Sequence, residues 1–324
     1  MNEINVTTAF FDALDASYCH LTAYNLTGNC RTSSCRDPEY PNPNVPPLNL
    51  SSSTPLLSPD AFIILNAYHG PLMCGAHPPT KVISISYSGT EHTWPANYMR
   101  RQCLEIMKLA LQGITVVESS GDVGVGGGRY NSQVGCLGAN RTVYAPRVMS
   151  NCPYVLSVGA TMLVDKDDGT ASWREVAAEG VSSGGGFSNI FPRPWWQNKA
   201  VTEFLNSNPQ IKEKGYILKG EEGFSNSSVP EGKVFNLAGR AYPDVAAIGE
   251  NFKVVWKGYP NRMDGTSVAV PIWASILTLI NEERLAVGKG PVGFVHPVLV
   301  SSLHKMDGRF RGLTSVVRAS RSVY

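Results

Sequence analysis

The run Met263-Asp-Gly-Thr-Ser267-Val-Ala-Val-Pro271 sets a serine where a loop meets an apolar stretch. The stretch predicts a helix, and a hydroxyl at its start gains from it in two ways. The helix presents the side chain rigidly, and the serine's own N–H, unpaired at a helix start, can donate to an oxyanion while the dipole favours negative charge. Gly265 permits an unusual turn just before the serine. Pro271 lies four residues beyond it and removes the N–H that would have bonded the Ser267 carbonyl. A plain cap by Thr266 and Ser267 accounts for the tripeptide taken alone. A second motif weighs against that. Ser119-Ser-Gly-Asp122-Val-Gly-Val-Gly-Gly-Gly follows a β-branched run and puts Asp122 at the carboxyl end of a predicted strand, where an acid can face a substrate. A turn capped by Asp122 is the alternative. The glycines fit G-x-G-x-x-G in no register, because the third falls on Arg129 or Asn131, and no G-K-[ST] follows, which argues against a phosphate cradle.

The elements that must position these residues are legible as periodicities. Val82-Ile-Ser-Ile-Ser-Tyr predicts a short strand, and residues 98–112 carry helical apolar spacing through Leu104, Met107, Leu109 and Leu111, closed by Gly113. Ile114-Thr-Val-Val-Glu and Tyr154-Val-Leu-Ser-Val-Gly predict two further strands, so strand, helix and strand alternate as in a parallel sheet with right-handed crossovers. A Gly-rich segment, Ser182-Ser-Gly-Gly-Gly-Phe, a strand at Lys253-Val-Val-Trp-Lys-Gly-Tyr and a buried helix from about Ser267 toward Leu285 come later. Residues 1–80 hold Asp37-Pro-Glu-Tyr-Pro-Asn-Pro-Asn-Val-Pro-Pro and read as a loop-rich lobe.

Composition narrows the class. The chain has 324 residues, 43% apolar and 17% charged, enough to bury a sizeable core. Its 28 basic residues nearly balance 26 acidic ones, which gives no reason to expect nucleic acid as a partner, and the longest apolar stretch, residues 268–280, is too short to span a membrane. Seven cysteines lie without a C-x-x-C pair, and five Asn-x-Ser/Thr sequons stand at Asn5, Asn25, Asn49, Asn140 and Asn226. Together they favour an oxidising, extracellular route. The start of the chain has neither the basic residues nor the apolar core of a signal peptide, and the cysteine count is odd.

With FFDALDASYC, DPEYPNP, KVISISYSGTE, RRQCLEIMKLALQG, SSGDVGV, CPYVLSVGAT, SSGGGFSNIFPRP, AYPDVAAIG and DGTSVAVPIWASILTLINEERLAVGKGPVGFVHPVL all in hand, the chain resembles the sedolisins, or serine-carboxyl peptidases. That family includes acid-acting tripeptidyl-peptidases and aorsin-type endopeptidases. The resemblance runs to about Pro297 and implies an α/β fold, a subtilisin-like parallel sheet flanked by helices, with the loop-rich N-terminal lobe added. It implies that Ser267 is the nucleophile and that Asp122, protonated at acidic pH, donates to the oxyanion. It further implies that Ser183, Gly184, Gly185 and Gly186 pair their backbone with an extended peptide, the missing Cβ atoms allowing close approach; a flexible loop is the plainer alternative. A peptide or protein substrate, secretion, and a monomer without nucleic acid or membrane as partner are expected.

Two parts of the family pattern have no counterpart here. The general base is a Glu oriented by an Asp four residues later, upstream of the segment that FFDALDASYC resembles, and the chain begins after that point. Asp12 and Asp15 are three apart and in the wrong segment. A serine without a positioned base is a weak nucleophile, with losses of roughly 10⁴ to 10⁶ in comparable enzymes, so the chain by itself is expected to be close to inert. The family's calcium site near the C-terminus also finds no match in residues 298–324, where Asp307 stands alone, and no cofactor or metal is expected. The chain therefore reads as an incomplete peptidase domain, residues 1–80 forming the lobe, 81–297 the core and 298–324 an aberrant tail. A secreted peptide-binding protein that kept the cleft without the chemistry is the competing reading. An α/β-hydrolase esterase is disfavoured because Ser267 is not embedded in G-x-S-x-G and no histidine stands in a matching context.

Overall fold

The computed structural model describes residues 10–11, 13–15, 75–87, 89–93, 96–127, 136–138, 140–165, 172–218 and 229–302. The Pro-rich run, Asp12, the sequons at Asn5, Asn25, Asn49 and Asn226, four of the cysteines and the tail from residue 303, Asp307 included, lie outside them. The chain divides into two compact units, Met1–Thr80 with Trp94–Glu105, and Lys81–Thr93 with Ile106–Tyr324. In the first, Phe11 is buried and meets Phe10 edge-on at 5.5 Å, and the His77 N–H donates to the Ala13 carbonyl at 3.0 Å.

In chain order the elements are β1 (Val82–Ile85), α1 (Ala96–Leu111), β2 (Thr115–Ser119), β3 (Val155–Asp165), β4 (Trp173–Ala177), β5 (Gly186–Pro192), α2 (Asn198–Ser207), α3 (Pro209–Lys212), β6 (Gly215–Tyr216), β7 (Phe235–Asn236), β8 (Gly239–Tyr242), β9 (Val245–Ile248), β10 (Phe252–Trp256), β11 (Tyr259–Met263), α4 (Thr266–Ala286) and α5 (His296–Ser302). The second unit is built on a mainly parallel sheet in which β1, β2, β3 and β9 run side by side, with β4 antiparallel to β3. The register puts Ile83 beside Val116, Val117 beside Leu156 and Val158 beside Val245. All five residues of β2 are buried, as expected for a strand covered on both faces.

β3 runs on well past Gly159, to Asp165, because Ala-Thr-Met-Leu-Val continues the β-forming pattern and pairs antiparallel with β4. Its burial alternates once it leaves the core. The strand read at residues 253–259 is the first arm of a hairpin, with Trp256 across from Tyr259. The two-residue turn takes positive φ at Lys257 (51°) and Gly258 (84°), the pattern that suits the twist of a tight hairpin.

Helix α4 lies over the sheet, in contact with β1, β2, β3 and β9. Its stripe Ala269, Val270, Trp273 and Leu277 joins Val117, Leu156, Val158, Val245 and Val295 in the main core. The large side chains of that stripe each contribute about 1.5–3 kcal/mol by leaving water. The Trp273 Nε1–H also donates to the Ala246 carbonyl at 2.9 Å, tying the helix to β9. The helix is not buried throughout, and its outer face keeps apolar side chains: Leu279 is 61% exposed and Ile276 and Ile280 are also exposed. A second cluster, Phe187, Val201, Phe204, Leu205, Val234, Phe235 and Ala241, packs α2 against β5, β7 and β8, with Phe187 stacked on Phe235 at 4.6 Å. Among the described residues no helix is long and apolar enough to cross a membrane.

Candidate active site

The carboxyl ends of β1, β2 and β9 gather at the start of α4. Gly265 is the residue before that helix, and its φ of 140° lies in the region that favours glycine. A Cβ there would stand 3.4 Å from Asp122 Oδ2. The Gly265 N–H donates to the Gly249 carbonyl at 2.8 Å, just past β9, so the turn before Ser267 is pinned to the sheet.

The helix is capped from a distance of 144 residues. Asp122 Oδ1 accepts from the Thr266 N–H and from the Thr266 hydroxyl, both at 2.8 Å, and the same hydroxyl oxygen accepts from the Gly121 N–H at 3.1 Å. Asp122 thus fills the N-cap role that no side chain of the helix fills for itself. With Oδ1 engaged twice as an acceptor, a proton on this carboxyl belongs on Oδ2, the oxygen on the Gly265 side. Ser267 is exposed beside it as the second residue of the helix, where the backbone N–H has no carbonyl within the helix to bond. Its carbonyl, left without the Pro271 N–H, accepts instead from the Ser86 hydroxyl at 3.4 Å, from the residue that follows β1.

The glycine stretch lies against the other side of Asp122. The Gly124 N–H donates to the Ser182 carbonyl at 2.8 Å, the Gly184 N–H to Gly121 O at 2.6 Å and the Gly185 N–H to Gly124 O at 3.4 Å. Residues 182–185 therefore run alongside 121–124. The approach is so close that a Cβ on Gly184 would fall 1.7 Å from the Ser120 carbonyl oxygen, which only glycine avoids. Ser183 points into the sheet, its hydroxyl accepting from the Ala160 N–H at 2.7 Å and donating to the Ala160 carbonyl at 3.3 Å, so it acts as a strut. Gly186 opens β5 with its α-carbon side facing the rings of Tyr144 and Tyr242.

The six residues singled out from sequence, Asp122, Ser183, Gly184, Gly185, Gly186 and Ser267, thus come together around one segment. Ser86 was missed, and Thr266 was read only as a possible helix cap beside Ser267. Among the described residues no carboxylate or imidazole bonds the Ser267 hydroxyl, and no group of three His, Cys, Asp or Glu side chains could hold a metal ion.

No protein-family profile matches the chain. It is 44% identical over 292 residues to tripeptidyl-peptidase sed1 of Aspergillus fumigatus, covering 90% of this chain and 39% of that protein. It is 42% identical over 305 residues to aorsin of Aspergillus oryzae, covering 92% and 42%. The chain belongs to the sedolisin family. Human tripeptidyl-peptidase 1, at 36% identity over 225 residues, is a more distant sedolisin relative and covers 67% of the chain. This sedolisin chain spans about two fifths of the length of the first two curated relatives. A Pseudomonas sedolisin, described as a serine-carboxyl proteinase complexed with pseudo-iodotyrostatin, superposes on 70% of the chain and 53% of its own, with a TM-score of 0.44 and 22% identity.

Proposed function

We propose that this chain carries the nucleophile and oxyanion side of a serine-carboxyl peptidase that hydrolyses peptide bonds at acidic pH. Ser267 Oγ attacks the scissile carbonyl carbon. The carbonyl oxygen takes the charge, and the protonated Asp122 carboxyl, together with the Ser267 N–H, donates to it. The C–N bond then breaks and the amine leaves with the proton given up by the Ser267 hydroxyl. Water later adds to the acyl carbon, the acid product takes the water oxygen, and a proton of the water returns to Ser267 Oγ. The stretch Ser183, Gly184, Gly185 and Gly186 lies along the extended peptide. The observation that carries this reading is the double engagement of Asp122 Oδ1 by Thr266, which leaves Oδ2 as the oxygen that can hold and donate a proton.

The test is a chimera in which this chain replaces the matched span of the Aspergillus fumigatus relative. It should cleave oligopeptides at acidic pH, and Ser267→Ala should abolish cleavage. Activity that survives that substitution sinks the assignment. Because no described side chain activates Ser267, the chain on its own should bind peptide with little turnover. Binding without any cleavage even in the chimera would favour the peptide-binding reading instead.

The exposed Asn140 turn carries the sequon that lies among the described residues, and Cys103 and Cys152 are disulfide-bonded while Cys136 keeps a free thiol. These features support secretion through an oxidising, glycosylating compartment. Asn140→Gln should remove one glycan's worth of mass from protein made in a secreting host. An unchanged mass would remove this support.

A further inference from the structure

Glu91, a few residues beyond β1, is a carboxyl buried to 2% exposure and outside the machinery described above. Its Oε1 accepts from the Asn189 N–H at 2.7 Å, and its Oε2 from the Ser188 hydroxyl at 3.2 Å and from Asn151 Nδ2. Each of these partners is itself engaged. The Ser188 oxygen accepts from the N–H groups of Ile190 and Phe191 at 3.0 and 2.8 Å, the Asn189 amide oxygen accepts from the Tyr216 hydroxyl at 2.8 Å, and the Ser188 carbonyl accepts from Asn236 Nδ2 at 2.9 Å. Residues 188–191 are the place where the β5–β8 register shifts, a bulge between Phe187 and Pro192. Glu91 is the hub of that bulge, and the bulge begins two residues after Gly186. The opposite end of Glu91 is anchored too, its N–H donating to the Pro146 carbonyl at 2.7 Å.

We propose that Glu91 is a positioning residue that holds the bulge behind the glycine stretch as a neutral carboxylic acid, and that losing its proton releases this stretch. The inference rests on the reading of Ser183–Gly186 as peptide-binding. The geometry asks for the neutral form. No lysine, arginine or histidine among the described residues forms an ion pair with Glu91. The Asn151 amide oxygen is buried with no hydrogen-bond partner among the described residues, and an amide turned over would accept a Glu91 O–H there. Burial accordingly lifts the carboxyl to about 8, against the lowering pull of Asn189, Ser188 and Asn151. The charged and titratable groups around it fit. Burial is the main cause that raises the phenols of Tyr216 and Tyr242, the Arg147 backbone N–H donates to the Tyr242 hydroxyl at 2.9 Å, Arg147 and Arg240 lower the Tyr242 phenol, and burial lowers the neighbouring His92 imidazole.

The sign follows. A carboxyl that titrates at 4.5 unfolded and about 8 folded leaves folding unaffected below pH 4.5 and weakens it as pH rises between the two values. Each pH unit in that window lowers the folded-to-unfolded ratio by up to about tenfold. Thermal unfolding of the full chain should show the wild-type Tm falling relative to that of Glu91→Gln across the window, the difference widening steadily. Parallel curves overturn the proposal. Should Glu91→Gln fail to fold, wild-type hydrogen exchange decides. The amides of Asn189, Ile190 and Phe191 should lose protection above about pH 8 relative to Val117, and unchanged protection overturns the proposal. A fluorescent penta-alanine peptide separates the two readings. It should bind the wild type at least about tenfold more weakly above pH 8 than at acidic pH, with the loss absent in Glu91→Gln. No binding at any pH, alongside diverging Tm curves, sinks the peptide reading and leaves the latch standing.

Discussion

Thr266 decides what Asp122 can do. Its hydroxyl accepts from the Gly121 N–H and donates to Oδ1, which leaves Oδ2 as the carboxyl oxygen that Thr266 does not engage. Thr266→Val keeps the shape and removes both bonds. In the chimera it should lower turnover by about 10- to 100-fold, the worth of one or two hydrogen bonds, while Thr266→Ser keeps most of the activity. Asp122→Ala should cost about 10² to 10³ in turnover, the scale of one oxyanion donor. Asp122→Asn keeps a donor at that place, so it should retain more activity than Asp122→Ala. A pH–rate profile reads all three. The placement of Ser267 at a helix start and of Asp122 just past a strand end was legible in sequence because such ends advertise themselves locally. Thr266 and Glu91 were not, since their meaning lies in partners 144 and nearly 100 residues away.

Among the elements, the strands and α4 could be read from β-branched runs and apolar spacing, since burial on a parallel sheet leaves that imprint. The β4 pairing, the bulge in β5 and the exposed face of α4 could not, because register and coverage depend on neighbours remote in sequence. The glycine stretch shows how far this goes. Its composition suggested a loop or a substrate strand, whereas its side-by-side course with residues 121–124 explains why bulk is barred. Gly184→Ala places a methyl against the Ser120 carbonyl, and something must shift to relieve the overlap. That substitution should destabilise by several kcal/mol, and chemical denaturation should show it.

At the scale of the whole molecule, Glu91 and His296 are buried titratable groups whose shifts pull stability in opposite directions with pH. His296, stacked on Phe294 at 4.6 Å, is lowered from 6.5 to about 4, chiefly by burial. It is neutral when folded, so stability from this group is complete above pH 6.5 and is lost as pH falls toward 4. Glu91 loses stability as pH rises from 4.5 to about 8. Between 4.5 and 6.5 the two slopes cancel, and outside that window one is left unopposed. Tm against pH should show a plateau on the acid side of neutrality. Replacing His296 with Phe should tilt the plateau downward with rising pH and remove the acid-side loss; an unaltered profile would show that the imidazole does not titrate in this way.

Asp122 sits on a segment laced on one flank to the serine helix and on the other to the glycine stretch. Anyone wishing to move this cleft's specificity into another scaffold could not graft the glycines alone. Residues 119–124, 182–186 and 263–267 form one transplantable unit, three stretches far apart in the gene that must travel together, and recombination that divides them should yield a folded protein with a misaligned cleft.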